Sequence, residues 1–189
     1  MSNYGEELAY WYLRLNGFFT INNFVLHHNR EGRTSDADIL AVRFPYVYEE
    51  VGGRDEDWDN QLVGRFNKDK IVGLICEVKT GLDFDETKLF KEVNLSKALG
   101  RFGFTERLDR QADELSIKPS LTIDNYEIYK VLISTDPQSP RTDCLHIKLV
   151  DVQRFIKERM KKYVYRKLSD RMFFQSELLQ YMIWEESMK

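Results

Sequence analysis

The stretch KIVGLICEVKTG, residues 70–81, limits the possible folds more than any other part of the chain. Its apolar run from Ile71 to Cys76 is far too short to cross a bilayer and is bounded by turn residues, so it reads as a strand of residues 70–79 buried on both faces. Such a strand needs a sheet on either side of it. It closes on Glu77-Val78-Lys79 before stopping at Thr80-Gly81. Side chains alternate across a strand, which puts Glu77 and Lys79 on one face and Val78 on the other.

The other elements supply that sheet. Leu8, Tyr12 and Leu15, with Ala9 and Trp11, follow helical spacing over 5–16, and Gly17 ends the helix. Strands are predicted at 23–28, 36–44, 126–135 and 144–150, giving about five in all. Between the second and third lies 45–69, rich in Pro, Gly and acids and without a steady period, which reads as an insertion holding at most short elements. Residues 86–116 read as helical with a break at GRFG, 100–103. After 150 the chain turns helical: Asp151 is placed to cap VQRFIKERMKKYV, and 168–186 repeats apolar residues at helical spacing. Strands and helices are mixed along the chain, so the class is α/β or α+β.

At 189 residues the chain is expected to form a single domain spanning 1–189, with 151–189 as a C-terminal helical extension. No apolar run is long enough for a membrane span, and the first residues are acidic rather than basic, so a cytoplasmic protein is expected. Cys76 and Cys144 fit no disulfide framework or metal-ligand pattern and are expected as buried thiols. The formal net charge of −3 argues against a protein that coats nucleic acid without selectivity. Charge is nevertheless segregated. Residues 49–59 hold six acids against Arg54, and 157–171 hold seven bases against Glu158 and Asp170.

The chemistry is expected where charge meets the sheet. Asp36 and Asp38 share one face of their strand, as Glu77 and Lys79 share one face of theirs. If these strands pair, carboxylates and one ammonium converge. Clustered carboxylates need positive charge, and Mg²⁺ is commonly held by one or two carboxylates plus substrate phosphate oxygens. Asp38 and Glu77 meet that need, with the Val78 carbonyl as a further oxygen and Lys79 beside the attacking water. Taken alone, a Glu-x-Lys at a strand end is more often a solvated ion pair.

Taken together, GEELAYWYLRLNGFF (5–19), SDADILAV (35–42) and ICEVKTG (75–81) resemble the PD-(D/E)xK nuclease superfamily, most closely its small bacterial and resolvase-like members. The resemblance implies a restriction-endonuclease-like fold, a central mixed sheet flanked by helices. It also implies Mg²⁺- or Mn²⁺-dependent hydrolysis of phosphodiester bonds, usually in DNA. By position, Asp38 matches the motif Asp, Glu77 and Lys79 the (D/E)xK pair, and Glu6 the helical Glu that assists metal or water. Asp36 matches the acid that often precedes the motif Asp, and Ala37 stands where the pattern often has Pro. The long interval from Asp38 to Glu77 departs from compact members and leaves three roles for the acidic insertion: pointing away, gating access, or binding a partner. The alternative function is a scaffold of the same fold that binds nucleic acid or protein and cuts nothing.

Other residues carry weaker expectations. His27 and His28 lack further zinc ligands and read as structural or solvent-facing. Arg30 and Arg33, in the loop before Asp36, are candidate phosphate contacts, as are Lys97 and Arg101 on the helix after the Glu-x-Lys strand. The base-rich 157–171 segment is an electrostatic candidate for nucleic acid, although such runs are usually solvated faces. The apolar segment 172–184 reads first as core packing. A homodimer or protein partner would use that C-terminal helix or the acidic insertion.

Overall fold

A computed structural model describes residues 3–28, 32–81, 84–135, 142–167 and 175–188, with side chains described except at 23–28, 32–36 and 164–167. Its elements are α1 (Tyr4–Leu15), β1 (Phe19–His28), β2 (Gly32–Arg43), β3 (Ile71–Lys79), α2 (Glu92–Arg101), α3 (Leu108–Ile117), β4 (Ser120–Ile123), β5 (Tyr126–Ser134), β6 (Leu145–Lys148), α4 (Leu149–Lys167) and α5 (Glu177–Ser187). The fold is α/β: a mixed, open six-stranded sheet with helices on both faces.

The sheet order is β1-β2-β3-β5-β4, with β6 also paired to β5. The β1–β2, β2–β3 and β4–β5 pairs are antiparallel, whereas β3–β5 and β5–β6 are parallel. The central position of β3, between β2 and β5, explains its unbroken apolar run. Leu74 and Cys76 pack on one side of the sheet, and Ile75 on the other. The same alternation divides β2, with Ile39 and Ala41 facing one core and Leu40 the other.

On one face α1, α4, α5 and the insertion cover the sheet; on the other α2 and α3 do. Helix α1 begins where Asn3 Oδ1 accepts the Gly5 and Glu6 N–H groups at 2.9 and 3.0 Å. It ends before Gly17, whose φ of +82° suits a residue without a Cβ. Its buried stripe is Leu8, Ala9, Tyr12 and Leu13.

Several expectations change in the structure. The sheet has a sixth strand, SLTI at 120–123, which is four residues long and too short to show a period. β1 starts at Phe19, earlier than residue 23, because its first residues pair with β2 as far as Val42. The strand predicted to run to 150 stops at Lys148, and Leu149 already begins α4. Asp151 therefore lies in the first turn of α4 rather than capping it; there it favours the helix dipole and binds Arg154 at 2.8 Å. α4 kinks at Tyr163, which has non-helical angles. α5 occupies only 177–187 of the segment predicted helical over 168–186. Ser176 caps it, accepting the Leu179 N–H at 3.1 Å; residues 168–174 lie outside the described residues.

Leu179 and Met182 of α5 are buried against the α1/α4 core, so core packing accounts for that part of the C-terminal apolar segment. Cys76 and Cys144 are both free and buried. Among the described residues, no helix is long and apolar enough to cross a membrane.

The insertion is tied to the α1/α4 face. Trp58, Leu62, Val63 and Phe66 enter that core. Tyr12 donates to Asp59 at 2.7 Å, and Asp59 N–H donates to Asn16 Oδ1 at 2.7 Å. Asp57 is buried and accepts from Lys162 at 2.6 Å and from the Tyr163 hydroxyl at 2.7 and 2.8 Å, with Arg159 at 3.4 Å. The two oppositely charged segments of the sequence thus meet each other.

Candidate active site

β2 and β3 pair regularly from Arg43/Val72 to Ile39/Cys76, and the ladder stops there. Asp38 is the next residue on β2. Its carboxylate takes over the role of a strand neighbour: Oδ2 accepts the Val78 N–H at 2.7 Å. N–H and C=O of one strand residue point to the same edge, so the Val78 carbonyl is directed toward this side as well. Lys79 Nζ donates to Asp38 Oδ2 at 3.1 Å and to Glu77 Oε2 at 2.9 Å. The convergence of Asp38, Glu77 and Lys79 is thus a consequence of strand alternation and of the β2–β3 register. The Asp36 side chain lies outside the described residues.

Glu6 does not line the cleft but stands close enough for its carboxyl to feel the charges of Asp38 and Lys79, because α1 starts close to the end of β3. A Cβ on Gly5 would stand 2.3 Å from Thr80 Cγ2 and 3.4 Å from Val78 Cγ1, so a side chain here would have to displace Thr80. Ala9, one turn on, is fully buried beneath the same helix. Asn3 Nδ2 donates to Glu6 Oε1 at 2.7 Å, a variant of the capping box that fixes the carboxylate. Glu6 Oε2 is buried and has no hydrogen-bond partner among the described residues.

The electrostatics are those of a site short of positive charge. Burial pushes the Glu77 carboxyl up to about 7; Lys79 opposes this, while neighbouring Asp38 adds to it. Burial also raises Glu6, and the Asp38 charge adds to that shift. Burial works against the Lys79 ammonium, but attraction to Glu77 and Asp38 outweighs it and leaves the group raised and charged. One ammonium faces two adjoining carboxylates with a third nearby, so positive charge is in short supply at the site.

The cluster floors a cleft of about 330 Å³, walled by Phe84, Lys88 and Leu89. These three come from the segment around the 3₁₀ turn Glu86–Lys88, which Asp85 caps by accepting the Thr87 N–H at 3.0 Å. Sequence reasoning missed them because a short turn has no period; the Phe84/Leu89 pair flanking two acids and one base was the available signal. Lys97 and Arg101 lie on α2 and do not line the cleft. Arg30 is outside the described residues, as are the side chains of Arg33, His27 and His28. No residue of 45–69 lines the cleft either, which favours the first of the insertion's three roles, pointing away. The Asp57 contacts also occupy Arg159 and Lys162, so these bases of the 157–171 segment serve the fold.

Among the described residues, no group of three or more His, Cys, Asp or Glu side chains is arranged to hold a metal ion. What the site offers is smaller: two carboxylates at the end of adjoining strands, the carbonyl of the residue after Glu77, and a Glu6 oxygen with no hydrogen-bond partner among the described residues. That set suits a hard cation which completes its shell with water and substrate oxygens, and it does not suit a cage built wholly of protein. No family model, no curated protein and no solved structure matches the chain.

Proposed function

We propose that the protein is a Mg²⁺- or Mn²⁺-dependent nuclease of the PD-(D/E)xK type, hydrolysing phosphodiester bonds in DNA on a restriction-endonuclease-like fold. The observation that carries this reading is the meeting of Asp38, Glu77 and Lys79 at the floor of a cleft. Asp38 is distant in sequence from the Glu77/Lys79 pair, and an ordinary solvated ion pair would not need a second strand's carboxylate. The burial of Glu77, 13 % exposed, also separates it from surface pairs.

Asp38 and Glu77, with the Val78 carbonyl, would hold the cation. When bound, it would neutralise charge on the phosphate and acidify water. Lys79 has the reach to leave its two carboxylates for the attacking water or the phosphate, since it is attached to neither by covalent constraint and retains 28 % exposure. Its ammonium there would orient the nucleophile and offset the growing negative charge. Glu6, held by Asn3 through one oxygen, would act on the site through its charge beside Asp38 and Lys79.

The test is calorimetric titration with Mn²⁺ followed by cleavage assays on linear, nicked, branched and single-stranded DNA. Metal binding and cutting, both lost in Asp38→Ala, are the expected result. Neither binding nor cutting by the parent protein would overturn the reading in favour of an inactive scaffold.

A further inference from the structure

We propose that the cleft accepts unpaired nucleotides, with Phe84 as the platform on which a base stacks and Lys88 as the contact to its flanking phosphate, so that the preferred substrate is single-stranded DNA or a frayed end. The inference rests on the nuclease reading for its chemistry, and on independent features for its substrate class.

Size comes first. About 330 Å³ is at the lower end of the roughly 300–1,000 Å³ of small-molecule sites, and it suits one nucleotide rather than a duplex. The reacting groups lie at the bottom of that space: the side chains of Glu77 and Asp38 are 13 % and 17 % exposed. A phosphate must come down to them past the wall.

The wall is built for an aromatic contact. Phe84 is half-buried, packed against the core between the sheet and α2/α3, while also lining the cleft. Leu89 and Phe90, both buried, anchor the segment just beyond it. The Asp85 cap and the Lys88–Asp85 pair at 3.4 Å hold the turn that presents the lysine. A ring backed by core loses little freedom when a base stacks on it, and such stacking accepts any base.

Charge points the same way. Among the described residues that line the cleft, the cations are Lys79 and Lys88, against Asp38, Glu77 and Asp85. Duplex binding draws its affinity from many phosphate contacts, and the bases at 159 and 162 are engaged with Asp57 on the other face of the sheet. With few phosphate contacts on offer, base stacking has to supply much of the affinity.

The experiment uses the full chain carrying Glu77→Gln, which removes cutting from the measurement. Binding of a fluorescent single-stranded oligonucleotide and of the same sequence as a blunt duplex is followed by anisotropy with Mg²⁺, alongside circular dichroism to verify folding. Single strand is expected to bind at least about 10-fold tighter than duplex, and Phe84→Ala to lose roughly 5- to 100-fold for single strand while Phe84→Trp restores it. Lys88→Ala should lower the slope of log affinity against log salt by about 0.7. Equal affinity for duplex, no binding of either DNA, or a folded Phe84→Ala that binds like its parent would each overturn the inference. The two readings fail separately. Phe84-dependent binding by a parent protein that cuts nothing removes the nuclease and keeps the stacking site. Cutting by the parent with Phe84-independent binding does the reverse.

Discussion

Two carboxylates on opposite faces of one sheet, Asp57 buried and Glu77 partly buried, have opposite surroundings. Asp57, in the insertion, accepts from Lys162 and Tyr163 with Arg159 beside it, so that donors outnumber acids. Burial alone would raise its pKa, but these hydrogen bonds and charges outweigh it and hold the carboxyl below its usual value. Among the described residues, Glu77 shares a single cation, Lys79, with Asp38, and burial raises its carboxyl to about 7. In the first cluster the carboxylate is electrostatically satisfied, and it fastens the insertion to α4. The second keeps an unmet need for positive charge and faces a cleft. Strained electrostatics of that kind are a mark of functional sites.

This contrast can be broken experimentally, and the largest effect is expected at the cleft. Lys79→Ala and Asp38→Ala should each lower DNA cleavage by about 10²–10⁴-fold with the circular dichroism spectrum unchanged. Cleavage equal to that of the parent would remove the catalytic half of the comparison. At the other cluster, Asp57→Ala leaves a buried guanidinium without its carboxylate. A loss of about 3–5 kcal/mol in urea unfolding is expected, with cleavage by the remaining folded protein intact.

The pH dependence of the Asp57 cluster has a defined sign. A carboxyl lowered in the folded state stabilises the protein fully above its unfolded pKa, and that stabilisation disappears as pH falls through the folded value. Unfolding curves for the parent and Asp57→Asn should therefore differ most above about pH 4 and converge in stronger acid. A gap that widens on acidification would reverse the assignment.

Smaller effects sharpen the picture further. Glu77→Gln removes repulsion at the cleft, so it should raise stability by about 0.5–2 kcal/mol while abolishing cleavage, the opposite of Asp57→Asn. A destabilised Glu77→Gln protein would mean that the cleft carboxylates also hold the fold. Gly5→Ala places a methyl against Thr80, and a cost of about 1 kcal/mol with a several-fold loss of activity is expected as α1 moves and takes Glu6 with it.

Much of the sheet was legible because its elements are periodic or unbroken. β3 announced itself through six apolar or glycine residues, and α1 through Leu8, Ala9 and Tyr12 on one stripe. β4 was not legible, since four residues carry no usable period and its pairing with β5 supplies what propensity does not. The end of β6 was misread because Leu149 and Val150 continue its apolar pattern into the first turn of α4.

By itself the sequence determined which side chains share a face, because alternation along a strand is a local property of the backbone. It placed Glu77 with Lys79 and opposite Val78 before any neighbour was known. Only the tertiary structure decided that Asp38 stands next to that pair, that Phe84 and Lys88 wall the space above it, and that the acidic insertion joins α4 on the far side. Register, loop closure and the pairing of distant charges depend on long-range packing, and a linear chain carries no local signal for them.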